Sequence, residues 1–167
     1  MMEKKHITIY LLFNLISIGF SQFGQNIVQY DNFIWNYIQS KHFDIYYYEN
    51  GKEHAEFVAE EAEIAYLKIS DRLNWGLKQR VSIIVYNSHN DFQQTNVVDS
   101  YMYEGIGGVT ELYKNRVVIP FDASNHEFQH VIHHELVHAF INDCVYGGSL
   151  KNMIANAIKA RIPMWMN

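Results

Sequence analysis

The chain has 167 residues, of which 49% are hydrophobic and 19% charged, so it is long enough for one domain with a hydrophobic core. Its formal net charge of −5 argues against a nucleic-acid partner, which calls for a clustered basic surface. Its apolar content argues against disorder. The single cysteine, Cys144, excludes an internal disulfide.

Residues 1–21 are predicted to be a signal peptide. Two lysines open the segment, an apolar run covers Ile7–Phe20, and the small residues Gly19 and Ser21 precede a possible cleavage site. The apolar run is shorter than the roughly 20 residues that a membrane-spanning helix needs. We therefore expect export to the periplasm, the outer membrane or the medium, with an uncleaved N-terminal membrane anchor as the alternative.

Residues 22–167 are predicted to form one α+β domain, in which a small mixed sheet packs on helices. Local composition and turn signals place its elements in chain order. The expected elements are a strand at Phe43–Tyr48 closed by Asn50-Gly51, a helix at Lys52–Leu73, a buried strand at Val81–Tyr86, a glycine-rich loop at 101–108, a strand at Val109–Ile119, and a helix from Asn125 to about Asn142.

The first predicted helix has apolar and acidic residues at different positions around its circumference. The apolar positions are Phe57, Ile64 and either Tyr66 or Leu67, and we expect them to face the core. The acidic positions are predicted to form a solvated face. They are Glu53, Glu56, Glu60, Glu61 and Glu63.

The last predicted helix contains the sequence HEFQHVIHHELVH, in which H-E-x-x-H occurs twice, at 126–130 and at 134–138. Histidines four residues apart lie one turn above each other on a helix, so both imidazoles can bind one ion. The glutamate after the first histidine can take a proton from a metal-bound water. The pattern therefore indicates a zinc hydrolase.

Sequence context favours the second copy, with His134 and His138 as metal ligands and Glu135 as the catalytic base. In the first copy, Ser124 and Glu127 match a capping box, which employs that glutamate at the helix start. The second copy has apolar neighbours on both sides, which restrict ligand rotamers and lower the local dielectric constant. The remaining histidines of the helix are interpreted as surface or supporting residues. They are His126, His130 and His133.

A catalytic zinc usually has three protein ligands. The metzincin extension is absent, because Ile141 stands where that pattern requires glycine and Cys144 where it requires histidine. The only acid after Glu135 is Asp143, five residues beyond His138 and at an awkward reach. The sequence therefore supplies two ligands of the expected three.

The segment HHELVHAF, followed by IPMWMN near the end of the chain, resembles the peptidase MA-like gluzincins. The stretches YDNFIW, KHFDIYYYE, EGIGGVTE and RVVIPF are similar to exported bacterial members that carry this domain before a Tol-type β-propeller. The resemblance covers most of residues 30–167. It is strongest in the H-E-x-x-H segment.

This resemblance implies a thermolysin-like N-terminal half-domain that hydrolyses peptide bonds with a zinc-activated water and acts on a peptide or protein. It also implies a glutamate ligand just beyond Asn167. The chain would then be a truncated part of the domain, with impaired or no activity. The alternative is an exported, non-catalytic interaction domain that accompanies a β-propeller.

The predicted strand before the last helix, Gly108–Ile119, is a candidate edge for pairing with an extended substrate. An ordinary structural strand with a glycine-rich entry explains it equally well. Glu104 and Glu111 receive no role from the sequence.

Overall fold

The computed structural model describes residues 31–95, 107–111, 115–122 and 124–146. They form a mixed α+β fold, as the sequence predicts, with five strands and three helices within these ranges. The strands are β1 (Asn36–Gln39), β2 (Phe43–Tyr47), β3 (Val81–Tyr86), β4 (Val109–Glu111) and β5 (Arg116–Pro120); the helices are α1 (Lys52–Leu73), α2 (His89–Phe92) and α3 (Asn125–Tyr146).

The strands form one mixed sheet in the order β1-β2-β3-β5-β4. The central strands β2, β3 and β5 are parallel, and β1 and β4 are antiparallel at the two edges of the described sheet. Parallel neighbours need a crossover connection, and α1 provides it between β2 and β3. Helices α1 and α3 pack on one face of the sheet, and α2 contributes Phe92 to the other.

The predicted strand Val109–Ile119 is wrong as a single element. Its two ends are separate strands, β4 and β5, which pair antiparallel with Glu111 opposite Arg116. Asn115, the residue before β5, has a φ of 52°, a left-handed conformation that asparagine tolerates well. The chain therefore folds back on itself within this stretch.

The predicted bounds of α1 are confirmed, but its predicted apolar face is only partly right. The buried positions are mostly small, namely Ala55, Val58, Ala62, Ala65 and Ile69. Of the larger apolar residues, Phe57 and Tyr66 lie at the margin of the core, and Leu67 is 66% exposed. Small side chains let the helix backbone approach the sheet and α3 closely, which explains why they take the central positions.

The predicted solvated acidic face is also partly wrong. Glu53, Glu56 and Glu60 are exposed as expected. Glu61 and Glu63 are not, because each is half-buried: Glu61 accepts a hydrogen bond from α3, and Glu63 accepts one from the turn between β1 and β2. These two carboxylates attach α1 to its neighbours.

Helix α3 runs four residues past the predicted end, to Tyr146. Its buried side lies against the sheet and α1. The large apolar residues on that side are Phe128, Ile132, Leu136 and Phe140. Burial of a side chain of this size contributes about 1.5–3 kcal/mol. This packing fixes the rotation of α3 and so determines which of its residues face solvent.

No helix within the described ranges is long and apolar enough to cross a membrane. The predicted signal peptide, residues 1–21, lies outside the described residues, as do the loop residues 101–106.

Candidate metal centre

The two imidazoles of the second H-E-x-x-H copy converge. His134 is exposed and His138 partly buried, and their Nε2 atoms lie 3.1 Å apart with ring planes at 76°. Two nitrogens bound to one tetrahedral zinc at about 2.0–2.1 Å lie about 3.3 Å apart. The pair therefore fits two corners of such a site. The same distance also suits an N–H···N hydrogen bond between the rings.

Glu135 lies on another side of α3 and is only 7% exposed. The Thr110 hydroxyl, on β4, lies 2.5 Å from Glu135 Oε2 and 3.0 Å from the Glu135 backbone oxygen. A hydroxyl has one proton to donate, and the closer carboxylate oxygen is the stronger acceptor. Strand β4 thus holds the carboxylate of the predicted base in one orientation.

Two glycines allow β4 to lie this close to α3. A Cβ atom on Gly108 would stand 2.9 Å from Glu135 Cγ, 3.0 Å from Ile119 Cγ2 and 3.1 Å from Val131 Cγ1. A Cβ on Gly107 would stand 3.1 Å from Val131 Cγ2. Side chains at these positions would force the strand and the helix apart, so the glycines set the distance between Thr110 and Glu135.

The first H-E-x-x-H copy has a different role. The backbone N–H of Glu127 donates to Ser124 Oγ at 3.4 Å, which is one half of the predicted capping box. The other half is replaced, since the Ser124 N–H donates to the backbone oxygen of Asp122. His126 and His130 are exposed, as predicted, and the His130 ring lies 6.3 Å from that of His134.

His133 is not incidental. Its Nε2 lies 3.3 Å from Glu61 Oε2, and the same carboxylate oxygen accepts a hydrogen bond from Gln129 Nε2 at 2.7 Å. Glu61 therefore connects α1 to two positions of α3, directly beside His134. This contact was missed from the sequence because Glu61 looked like one member of an exposed acidic run.

Asp143 is fully buried. Its Oδ2 accepts hydrogen bonds from Trp75 Nε1 at 2.9 Å and from the backbone N–H of Lys78 at 3.3 Å. These hydrogen bonds connect the loop after α1 to the C-terminal part of α3. Within the residues that the structure describes, no group of three histidine, cysteine or acidic side chains could hold a metal ion.

Glu111, which received no role from the sequence, forms an ion pair with Arg116 across the β4–β5 ladder, at 2.5 Å. Glu104 lies outside the described residues. Comparison of the chain with protein-family models, with curated proteins and with solved structures finds no match.

Proposed function

We propose that the chain carries the active-site helix of a zinc-dependent metallopeptidase of the gluzincin type. His134 and His138 are the zinc ligands, and Glu135 is the general base. The observation that supports this most is the combination of two converging imidazoles, 3.1 Å apart, with an intervening carboxylate that is buried and oriented by a hydroxyl. A thermolysin-like half-domain, export, and a following β-propeller belong to the same proposal, and a third zinc ligand would come from outside the described residues.

Zinc, when bound, supplies a Lewis acid that polarises the scissile carbonyl and activates a water. Residues of the chain itself transfer the proton and hold the base in position. The Glu135 carboxylate accepts the proton of the attacking water and passes it to the leaving amine. Thr110 restricts that carboxylate to one orientation, which reduces the reorganisation needed during proton transfer. Burial of Glu135 against β4 limits competing contacts with bulk water.

The edge position of β4 adds a substrate-binding element to the proposal. In the described sheet, β4 pairs on one side only, with β5, and it adjoins Glu135. An extended peptide can hydrogen-bond to such an edge and place its backbone beside the catalytic carboxylate. The expected substrate is therefore an extended peptide or an unfolded protein segment.

Zinc binding tests the ligand assignment on the chain itself. The metal-free protein is titrated with zinc, and the variants His134→Ala and His138→Ala are compared with His126→Ala and His130→Ala, which remove the equivalent pair from the first copy. We expect each variant of the second copy to weaken zinc binding at least tenfold, and the first-copy variants to leave it within twofold. Equal losses in both pairs would overturn the assignment.

Cleavage of an unstructured protein such as casein tests the base. It is measured on the chain together with any residues that its gene encodes after position 167. Glu135→Gln should abolish cleavage and retain zinc, whereas Glu127→Gln, the matched change in the first copy, should retain both. If the protein binds no zinc, and Glu135→Gln changes neither zinc binding nor cleavage, the alternative of a non-catalytic interaction domain is favoured instead.

A further inference from the structure

A pocket of about 460 Å³ opens between α1 and α3, directly beside His134. Its apolar lining comes from Ile69, Leu73 and Val137. Three histidines of α3 also line it, namely His130, His133 and His134. Leu73 is 45% exposed and Val137 38% exposed, so the pocket presents apolar surface to solvent beside a proposed metal ligand. This volume lies within the range of about 300–1,000 Å³ that is typical of ligand pockets.

Two cations, Lys68 and Arg72, line the same pocket from α1. They are four residues apart, so they lie one turn above each other on the same side of the helix. Both are exposed, and neither forms an ion pair within the described part of the chain. Lys52, Arg80 and Arg116 each have a carboxylate partner, whereas Lys41 and Lys78, like the two pocket cations, form no ion pair with a described residue. The described lining of the pocket therefore contains two positively charged side chains and no carboxylate, in a chain whose net charge is −5.

A second pocket along α3, which shares His130 with the first, is lined by acidic residues instead of basic ones. It has a volume of about 440 Å³, lies beside Gly107 and Val131, and its acidic residues are Asp122 and Glu127. It has no lysine or arginine in its described lining. An anionic group of a bound peptide would be repelled there and attracted to the pocket of Lys68 and Arg72, so the charges distinguish the two pockets.

We propose that the pocket between α1 and α3 binds a peptide carboxylate, either that of an acidic side chain or that of a C-terminus. This inference rests on the proposed peptidase function, whose substrate class it specifies. Arg72 offers paired N–H donors that match the two oxygens of a carboxylate, and Lys68 adds a second charge. The apolar part of the bound residue packs against Ile69, Leu73 and Val137.

Binding of short peptides to the metal-free chain tests the pocket without relying on catalysis. Calorimetry compares acetyl-Leu-Glu-amide with acetyl-Leu-Gln-amide, which differ only in a side-chain carboxylate. It also compares acetyl-Leu-Gln with its amide, which differ only in a C-terminal carboxylate. We expect at least one carboxylate peptide to bind ten times more tightly than its neutral partner. The pair that shows the difference identifies the source of the carboxylate.

The double variant Lys68→Gln/Arg72→Gln should remove this preference. The matched control is Lys41→Gln/Lys52→Gln, which changes the net charge equally but at exposed positions outside the pocket lining. Equal affinity for charged and neutral peptides, or an equal loss in the control, would overturn the inference.

The pocket proposal and the peptidase proposal can fail independently of each other. Zinc binding and cleavage without a preference for carboxylates would overturn the inference alone. A preference for carboxylates in a protein that binds no zinc would support the proposed binding pocket and overturn the proposed peptidase function.

Discussion

Replacement of Gly108 by alanine tests how closely β4 and α3 must approach. The added methyl group would meet three side-chain atoms at 2.9–3.1 Å, on Glu135, Ile119 and Val131. Ordinary carbon–carbon contacts lie at about 3.5–4.0 Å. None of the three atoms is the free end of a long flexible side chain, so the strand or the helix must shift.

Two effects of opposite sign determine the expected size of the change. Overpacking of a well-packed region costs about 1–3 kcal/mol. Replacing glycine by alanine also restricts the unfolded chain, which stabilises the fold by about 0.4–1 kcal/mol where the backbone conformation permits. Gly76→Ala measures this second effect alone, because its added methyl group would meet only Tyr66 Oη, at 3.5 Å. The difference between the two variants should therefore be about 1–3 kcal/mol, with Gly108→Ala the less stable.

Urea unfolding followed by far-ultraviolet circular dichroism gives the free energy of unfolding of both variants and of the unmodified chain. Similar m-values would show that the comparison concerns stability and not a change of mechanism. A difference below about 0.5 kcal/mol, the usual range for neutral surface substitutions, would refute the close approach of β4 to α3.

Two further variants test polar contacts of the described residues. Thr110→Val keeps the shape of the side chain but removes the donor to Glu135. The free energy of unfolding should therefore fall by about 1.5–3 kcal/mol, the range for hydrogen bonds to charged groups. Thr110→Ser, which keeps the hydroxyl, is the control, and equal stability of the two variants would contradict the contact. At Glu63, burial opposes ionisation, but hydrogen bonds from Ser40 and His42 outweigh it and hold the pKa below its usual 4.5. The ionised carboxylate therefore stabilises the fold above pH 4.5, and this contribution is lost as the pH falls through the lowered pKa. Glu63→Gln should reduce stability at neutral pH and flatten its decline below pH 4.5 in urea titrations; a parallel decline in both proteins would disprove the effect.

Local signals in the sequence were enough to place α1. The turn signal Asn50-Gly51 and the spacing of the apolar residues predicted its bounds, which match the structure, where Asn74 caps the C-terminus in a left-handed conformation. Its buried face was harder to predict, because alanine contributes little to a hydrophobic pattern. Ala62 and Ala65 are buried because small side chains suit a close approach between elements, and that requirement arises from tertiary packing.

The turn between β4 and β5 was missed for a related reason. The residues of this stretch favour extended backbone on both sides of the turn, and it contains neither glycine nor proline between Glu111 and Arg116. Only the positive φ of Asn115 and the antiparallel pairing reveal the reversal.

Within the candidate site, the sequence could place His134 and His138 on one side of a helix, because their spacing is local. It could not predict the partner of Glu135. Thr110 lies 25 residues earlier in the chain, and the two meet only because the hairpin places β4 beside α3. The contact of His133 with Glu61 spans 72 residues and was equally inaccessible.

The walls of the candidate site come from two separate segments of the chain. Residues 110–138 contain the histidine pair, the buried glutamate and its hydroxyl partner, whereas α1 supplies Lys68 and Arg72 to the pocket beside His134. Under the proposed function, exposed substitutions on α1 would change peptide selectivity while His134, Glu135 and His138 stay in place. Substitutions in the β4–β5 hairpin and in α3 should in turn depend on one another, because the Thr110–Glu135 contact joins the two.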